Sequence, residues 1–278
     1  MVETITLFPK LSDKLISLLT SLSVDDWKKP TRCPLWAVKD IAAHLLQTEL
    51  GRLSSQRDRY KIENGSSVTS SNYSEIVKII NNNNGAWVKA FNAVSPQIII
   101  ELIRNADKEL FTLLSGLEPH GKAEWPVSWA GETESENWFD IGREYTERWL
   151  HQHHIREATN NQQLIDYEYY HPVLQIFFIA VPHAYRETEA NDGLHIEVII
   201  EGDAGGIWHL EAINGKWILS KNESIQSNEP ITEIRIDQTL AWKLFSKGAH
   251  KDETDKGIRI KGNKSLAENM MKMVSVMA

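Results

Sequence analysis

The sequence predicts two domains of different class: an all-α four-helix bundle over residues 1–162, then an α+β domain with a mostly antiparallel sheet over 163–278. Three observations carry that expectation. Apolar residues recur at helical spacing through the first half of the chain, whereas beyond Asn160 they alternate in runs of period two. Between the two patterns lies the polar, unpatterned stretch NNQQ, which puts the boundary near 160–168. A length of 278 residues suits one large domain or two ordinary ones.

The elements follow in order. Phe8, Leu11, Leu15, Leu18, Leu19 and Leu22 give an amphipathic first helix. KPTRCPLW breaks it at Pro30 and Pro34, and AVKDIAAHLLQTEL starts a second. The polar stretch from Arg57 to Asn72 reads as a long loop or a frayed helix end. YSEIVKIINNNNGAWVKAF is helical up to Asn81, where the Asn run and Gly85 predict a bend. Ser95 and Pro96 form an N-cap and first-turn pair that launches the next helix, with Gly116 near its end as a cap. ENWFDIGREYTERWLHQHHIREAT is the last long helix, and four major helices within this region point to a bundle.

Past the boundary, PVLQIFFIAVPHAY is an apolar helical segment. LHIEVIIE, GIWHLEAI, KWILS and ITEIRID alternate as strands do, and the Asn-Gly pair in INGK marks a hairpin. QTLAWKLFSKG and SLAENMMKMVSVM return to helical spacing around a short strand, GIRIK. Gly205 and Gly206 read as a turn, since no helix-start glycine pattern surrounds them.

Composition excludes several classes of function. The net charge of −8 and pI near 5.7, without a Lys/Arg cluster, argue against nucleic acid as a partner. The most apolar run, VLQIFFIAV, is far short of the ~20 residues a membrane span needs, and the start lacks the pattern of a signal peptide. A soluble cytoplasmic protein is expected. Cys33 is the only cysteine, so neither an intrachain disulfide nor a cysteine-based zinc site is expected, and any metal would be held by His and carboxylate. Its place beside Arg32 in a Pro-flanked turn reads as a small structural residue.

The richest stretch is EYTERWLHQHHIREA. At ~100° per residue, Asp140, Glu144, Glu147, His151 and His154 share one stripe about 80° wide. His153 falls off that stripe, and Trp138, Tyr145 and Trp149 lie opposite it. Two readings stand. Either the aromatic side packs into the core and the charged stripe faces water, or the stripe is half of a metal site completed from elsewhere. His44, in DIAAHLLQ beside the apolar arc of Val38, Ile41 and Leu45, is the residue that could complete it. It is equally readable as a core or boundary histidine. One imidazole from one helix, with Glu and His four apart on another, is how bundles build metal sites. Two neutral imidazoles and a carboxylate suit zinc, leaving a fourth position for water or a thiolate.

TRCPLWAVKDIAAHL resembles the second-helix motif of the DinB-like metalloprotein superfamily, in the branch named for mycothiol-dependent maleylpyruvate isomerase. ERWLHQHHIREA is similar to that branch's last-helix motif. VPHAYR, GDAGGIWHLE and the terminal MVSVMA resemble the sterol-carrier-protein-like domain that often follows. The motifs are short, but their order and spacing cover nearly the whole chain. The resemblance implies His44, Glu147 and His151 as ligands of Zn2+ or another divalent metal. One departure stands out: His154 occupies a position where an acidic residue is expected. It is either a fourth ligand or, as favoured, a neighbour that orients a ligand or acts as base.

The resemblance further implies a low-molecular-weight thiol (mycothiol, bacillithiol or glutathione) held as thiolate beside a small-molecule electrophile, for cis–trans isomerisation or S-transfer. Glu144 is the possible acid or base. His183 and Arg186, in VPHAYR, are the candidates for a substrate carboxylate, or else pin the domain interface. The rival readings are a zinc-dependent hydrolase and a non-catalytic metal- or small-ligand-binding protein.

Overall fold

The apolar spacing of the first helix becomes α1 (Phe8–Ser21) in the computed structural model, which describes residues 1–60, 73–220 and 229–273. Its buried face is Phe8, Leu11, Leu15, Leu18 and Leu19. α2 (Val38–Arg52) starts where Asp40 accepts a hydrogen bond from the Ala37 amide at 2.9 Å, satisfying one of the donors a helix start leaves open. The polar stretch expected as a loop lies, from residue 61 to 72, outside the described residues.

α3 (Tyr73–Ala90) corrects an expectation, because it runs unbroken through the Asn run and Gly85. Trp87 Nε1 donates to the Ala43 carbonyl at 3.0 Å, and Gln47 Nε2 donates to Asn84 Oδ1 at 3.1 Å. These contacts with α2 outweigh an intrinsic cost of up to about 0.7 kcal/mol per asparagine. α4 (Pro96–Ser115) follows, capped by Ser95 Oγ, which accepts from the Ile98 amide. Gly116 does follow this helix, but at φ −86° it needs no glycine. α5 (Asn137–Ala158) is the longest of the described helices at 22 residues. Five α-helices precede residue 160 among the described residues.

The C-terminal elements begin earlier than the apolar run suggests. α6 (Tyr167–Phe178) starts at the Asp166 cap and contains Pro172, which removes one intrahelical bond. Tyr170 within it is anchored by its hydroxyl to the Gln238 carbonyl at 2.8 Å. α7 (Val181–Ala184) is a single turn. The strands β1 (His195–Glu201), β2 (Gly206–Ile213), β3 (Lys216–Leu219), β4 (Thr232–Asp237) and β5 (Ile258–Gly262) form one mixed sheet in the order β3-β2-β1-β4-β5. The β1–β2, β2–β3 and β4–β5 pairs are antiparallel, and the central β1–β4 pair is parallel.

The INGK hairpin is present, with Asn214 and Gly215 both at positive φ as a tight primed turn requires. Gly205 turns the chain between β1 and β2, where an added Cβ would sit 1.9 Å from the Ile200 carbonyl oxygen. α8 (Gln238–Phe245), α9 (Lys251–Gly257) and α10 (Lys264–Met271) complete the chain. The terminal MVSVMA lies, beyond Met273, outside the described residues. Among the described residues, no helix is long and apolar enough to cross a membrane.

The contacts divide the chain into two units. One is Thr4–Glu124 with Glu147–Gln163; the other is Met1–Glu3 with Trp125–Thr146 and Leu164–Met277. The segment 125–146, which the sequence pattern assigns to the helical half, thus falls with the sheet. The division passes through α5 between Thr146 and Glu147. In the helical unit, Leu15, Leu18 and Leu19 of α1, Val38, Ile41 and Leu45 of α2, and Ile99 and Ile103 of α4 form the core, which Ile155 of α5 joins.

Candidate metal centre

The charged stripe of α5 does not face water. Glu144, His151 and His154 are only 5%, 6% and 3% exposed, so the solvated-face reading fails. His153, off the stripe, stacks on Trp149 with ring centroids 3.7 Å apart. The helix is buried on both sides because Tyr145 and Trp149 pack in as well. Burying ionisable groups is costly unless they are paired or hold an ion.

Within the helical unit, His151 is the hub. Its ring meets that of His44 edge-on with centroids 4.8 Å apart, and its Nε2 lies 3.4 Å from Glu147 Oε2, one helical turn back. His154 approaches from the next turn, ring to ring at 5.4 Å. His154 Nδ1 is 3.1 Å from Cys33 Sγ. Among the described residues, the trio whose donor atoms all lie within 4.8 Å of one another is Cys33, His151 and His154. His44 and Glu147 each approach His151 as well.

Two neighbours fix His44. Gln47 Oε1 lies 3.3 Å from His44 Nδ1, one helical turn along α2, and Gln47 Nε2 in turn holds Asn84. A carbonyl oxygen there selects the tautomer with hydrogen on Nδ1, leaving the Nε2 lone pair to act as a ligand. Trp36 packs its ring against His44 at 4.9 Å and reaches His151 at 6.5 Å.

The turn carrying Cys33 is itself clamped. Arg32 makes a two-pronged pair with Glu157, Nε to Oε2 at 2.8 Å and Nη2 to Oε1 at 2.7 Å. Arg32 and Cys33 therefore face Glu157 and His154, two α5 positions one turn apart. Inside the turn, Thr31 Oγ1 accepts from the Cys33 amide at 3.2 Å and donates to the Trp36 carbonyl at 2.8 Å. Leu35 sits at its tip with φ +73° and a fully exposed side chain.

A left-handed backbone costs an L-residue roughly 1–2 kcal/mol, and this side chain contributes no burial in return. Leu35→Gly is accordingly expected to stabilise the protein by up to about 1 kcal/mol, after glycine's greater unfolded-state freedom is subtracted. Urea unfolding of the two proteins checks this; a lower midpoint for the glycine variant would contradict it.

The three imidazoles have different proton affinities. Burial, helped by the neighbouring His151, lowers the His44 pKa to about 4. Burial likewise holds His154 well below the usual histidine range, with His151, His153 and Arg32 adding to it. Burial also opposes charge on His151, but Cys33 and Glu147 together outweigh it and raise the pKa to about 9. Two neutral rings, the form that ligates metals, thus flank one that favours its proton when no ion is present.

The donor chemistry fits a divalent ion. Ligands about 2.0–2.1 Å from a tetrahedral zinc lie roughly 3.3–3.4 Å from one another, and the Nε2–Oε2 separation across His151 and Glu147 is 3.4 Å. His151 Nδ1 is buried and has no hydrogen-bond partner among the described residues.

The remaining predicted residues lie in the other unit. Glu144 is buried there. His183 packs against Gly131, whose φ of +84° and missing Cβ make room for the imidazole. Arg186 is exposed, turns back to the His183 carbonyl at 2.8 Å and lies 3.6 Å from Glu187. Neither residue is brought to a cluster of donors among the described residues. Gln47 carried no signal in the sequence, whereas Cys33 and Trp36 lay within the motif TRCPLWAVKDIAAHL, where Cys33 was read as structural and neither was assigned to the site.

The sequence profile of the mycothiol maleylpyruvate isomerase N-terminal domain matches residues 8–156. No curated protein matches the chain in sequence. Among solved structures, the fold is similar to the crystal structure of the mycothiol-dependent maleylpyruvate isomerase, with TM-score 0.53 and 7% identity over 92% of this chain and 91% of that one. A histidine-to-alanine mutant of that isomerase gives TM-score 0.52 with the same identity and coverage.

Proposed function

The chain belongs to the mycothiol maleylpyruvate isomerase N-terminal domain family, and from that membership we propose a metal- and thiol-dependent enzyme acting on a small electrophile. Isomerisation of a cis double bond, of the maleylpyruvate type, is the favoured reaction, and S-transfer by the same thiol is its close variant. The observation that carries the reading is the convergence of His44 and Glu147 on the buried ring of His151, inside the matched segment. We read residues 1–162 as the family's DinB-like four-helix bundle and 163–278 as a sterol-carrier-protein-like domain with a mostly antiparallel sheet.

His44, Glu147 and His151 would hold the divalent ion, with zinc expected from two imidazoles and a carboxylate. Bound there, the ion lowers the pKa of a low-molecular-weight thiol, so that the nucleophilic thiolate needed for reversible addition to a double bond persists at neutral pH. The chain's own residues do the rest. Gln47 holds the His44 tautomer, and Trp36 packs against the His44 ring at 4.9 Å. His154, 3.1 Å from Cys33 Sγ through Nδ1, orients that side chain.

The test is turnover of maleylpyruvate by protein purified without chelator, with mycothiol, bacillithiol and glutathione supplied in turn. Activity should require one of these thiols, fall more than ~100-fold on chelation and return with Zn2+, because removing a ligand's support alone already costs 10–100-fold. Turnover that is indifferent to thiol would instead indicate hydrolysis. Protein that retains no metal would remove the basis of the proposal.

A further inference from the structure

The cluster that the family trio leaves unexplained is the one around Cys33. Its sulfur, a nitrogen of His151 and a nitrogen of His154 lie mutually within 4.8 Å. His151 is at once the centre of this group and the ring shared with His44 and Glu147. An ion held by the trio would therefore have a protein sulfur within ligand range of one of its own ligands. The sulfur's position is not accidental. Thiolate is one of the donors that zinc accepts, beside imidazole and carboxylate. The backbone behind Cys33 is fixed by Thr31, and its neighbour Arg32 is locked to Glu157.

Resting on the metal reading above, we propose that Cys33 is a built-in fourth ligand. Its thiolate closes the site at rest and occupies the place that the external thiol takes during turnover. His154, 3.1 Å from the sulfur, is its positioning residue rather than a ligand. Loading with the external thiol is then a ligand exchange. The Cys33 sulfur–metal bond breaks, a bond from the incoming sulfur forms, and the proton of the incoming thiol ends on Cys33 Sγ. Charge and atoms balance without an oxidant or reductant. The arrangement makes the resting centre a closed one, shielded from water and from small anions, and admits only a donor able to compete with thiolate.

Because Cys33 is the chain's only cysteine, the test is unambiguous. The apoprotein is loaded with Co2+ in the absence of any thiol, and its absorption spectrum is recorded beside those of Cys33→Ser and Cys33→Ala. Wild type should show a thiolate-to-cobalt charge-transfer band. Both variants should bind cobalt without the band and acquire it when 2-mercaptoethanol is added. Cobalt-loaded wild type lacking the band overturns the proposal, a result that needs no variant to fold. So does a band that survives in Cys33→Ser before thiol is added. Wild-type protein that binds no cobalt overturns the trio reading itself, and so separates the two failures.

Discussion

His151→Ala is expected to abolish metal retention and reduce thiol-dependent turnover by more than ~100-fold. Losing a group that merely supports a ligand typically costs 10–100-fold in affinity or activity, and His151 is the ring on which His44, Glu147 and the Cys33 cluster all converge. The variant should remain folded, because alanine keeps the helix and the loss is confined to the ring's contacts with Glu147, at 3.4 Å, and with Cys33. Elemental analysis with circular dichroism separates loss of metal from loss of fold. Undiminished metal in a folded His151→Ala protein would sink the site. Gln47→Ala supplies the graded comparison, since it frees the His44 ring without removing a ligand and should weaken metal binding by only 10–100-fold.

The second large effect concerns stability. Arg148, on the turn of α5 between Glu147 and His151, is 1% exposed. Its Nη1 donates to Glu49 Oε1 at 2.6 Å, and its Nη2 pairs with Asp107. This charge network ties α2, α4 and α5 together, and Nη2 also reaches Ser12 Oγ on α1 at 3.4 Å. Arg148→Met should lower stability by about 3–5 kcal/mol, because it leaves Glu49 and Asp107 buried without their cation.

The cost belongs to the stranded carboxylates rather than to the lost attraction. Combining Arg148→Met with Glu49→Gln and Asp107→Asn should therefore recover a substantial part of it. Urea midpoints for the single and triple variants measure both quantities. A single-variant loss under about 1 kcal/mol would show that the network is not a closed, desolvated unit.

Much of this was legible from residue spacing. The helical period placed α1, α2, α4 and α5, and the period-two runs with INGK placed the strands and their hairpin. Spacing placed Glu147 and His151 on one stripe with Asp140, Glu144 and His154, and the family resemblance singled out the first two. Periodicity could not show that the charged stripe of α5 is buried. A helix packed on both sides carries two inward faces, and only its neighbours reveal that. The Asn run misled for a related reason: local propensity opposes helix there, and Trp87 and Asn84 reach α2 to override it.

Cys33 was the least legible residue. It meets His154 across 121 positions of sequence, through a turn whose orientation depends on the Arg32–Glu157 pair. The Arg148 network was hidden in the same way, since its partners lie 99 and 41 positions distant.

The parallel pairing of β1 with β4 has a consequence for how the chain is born. During synthesis the helical unit, with Cys33, His44, Glu147, His151 and His154, is complete once Gln163 has emerged. The centre of the sheet must wait for Asp237, the last residue of β4, which follows 74 residues later (237 − 163). At translation rates of about 5–20 residues per second, that is a lag of roughly 4–15 s. In the nascent chain, every residue of the donor set is thus available to capture an ion while the strand that completes the sheet is still being made.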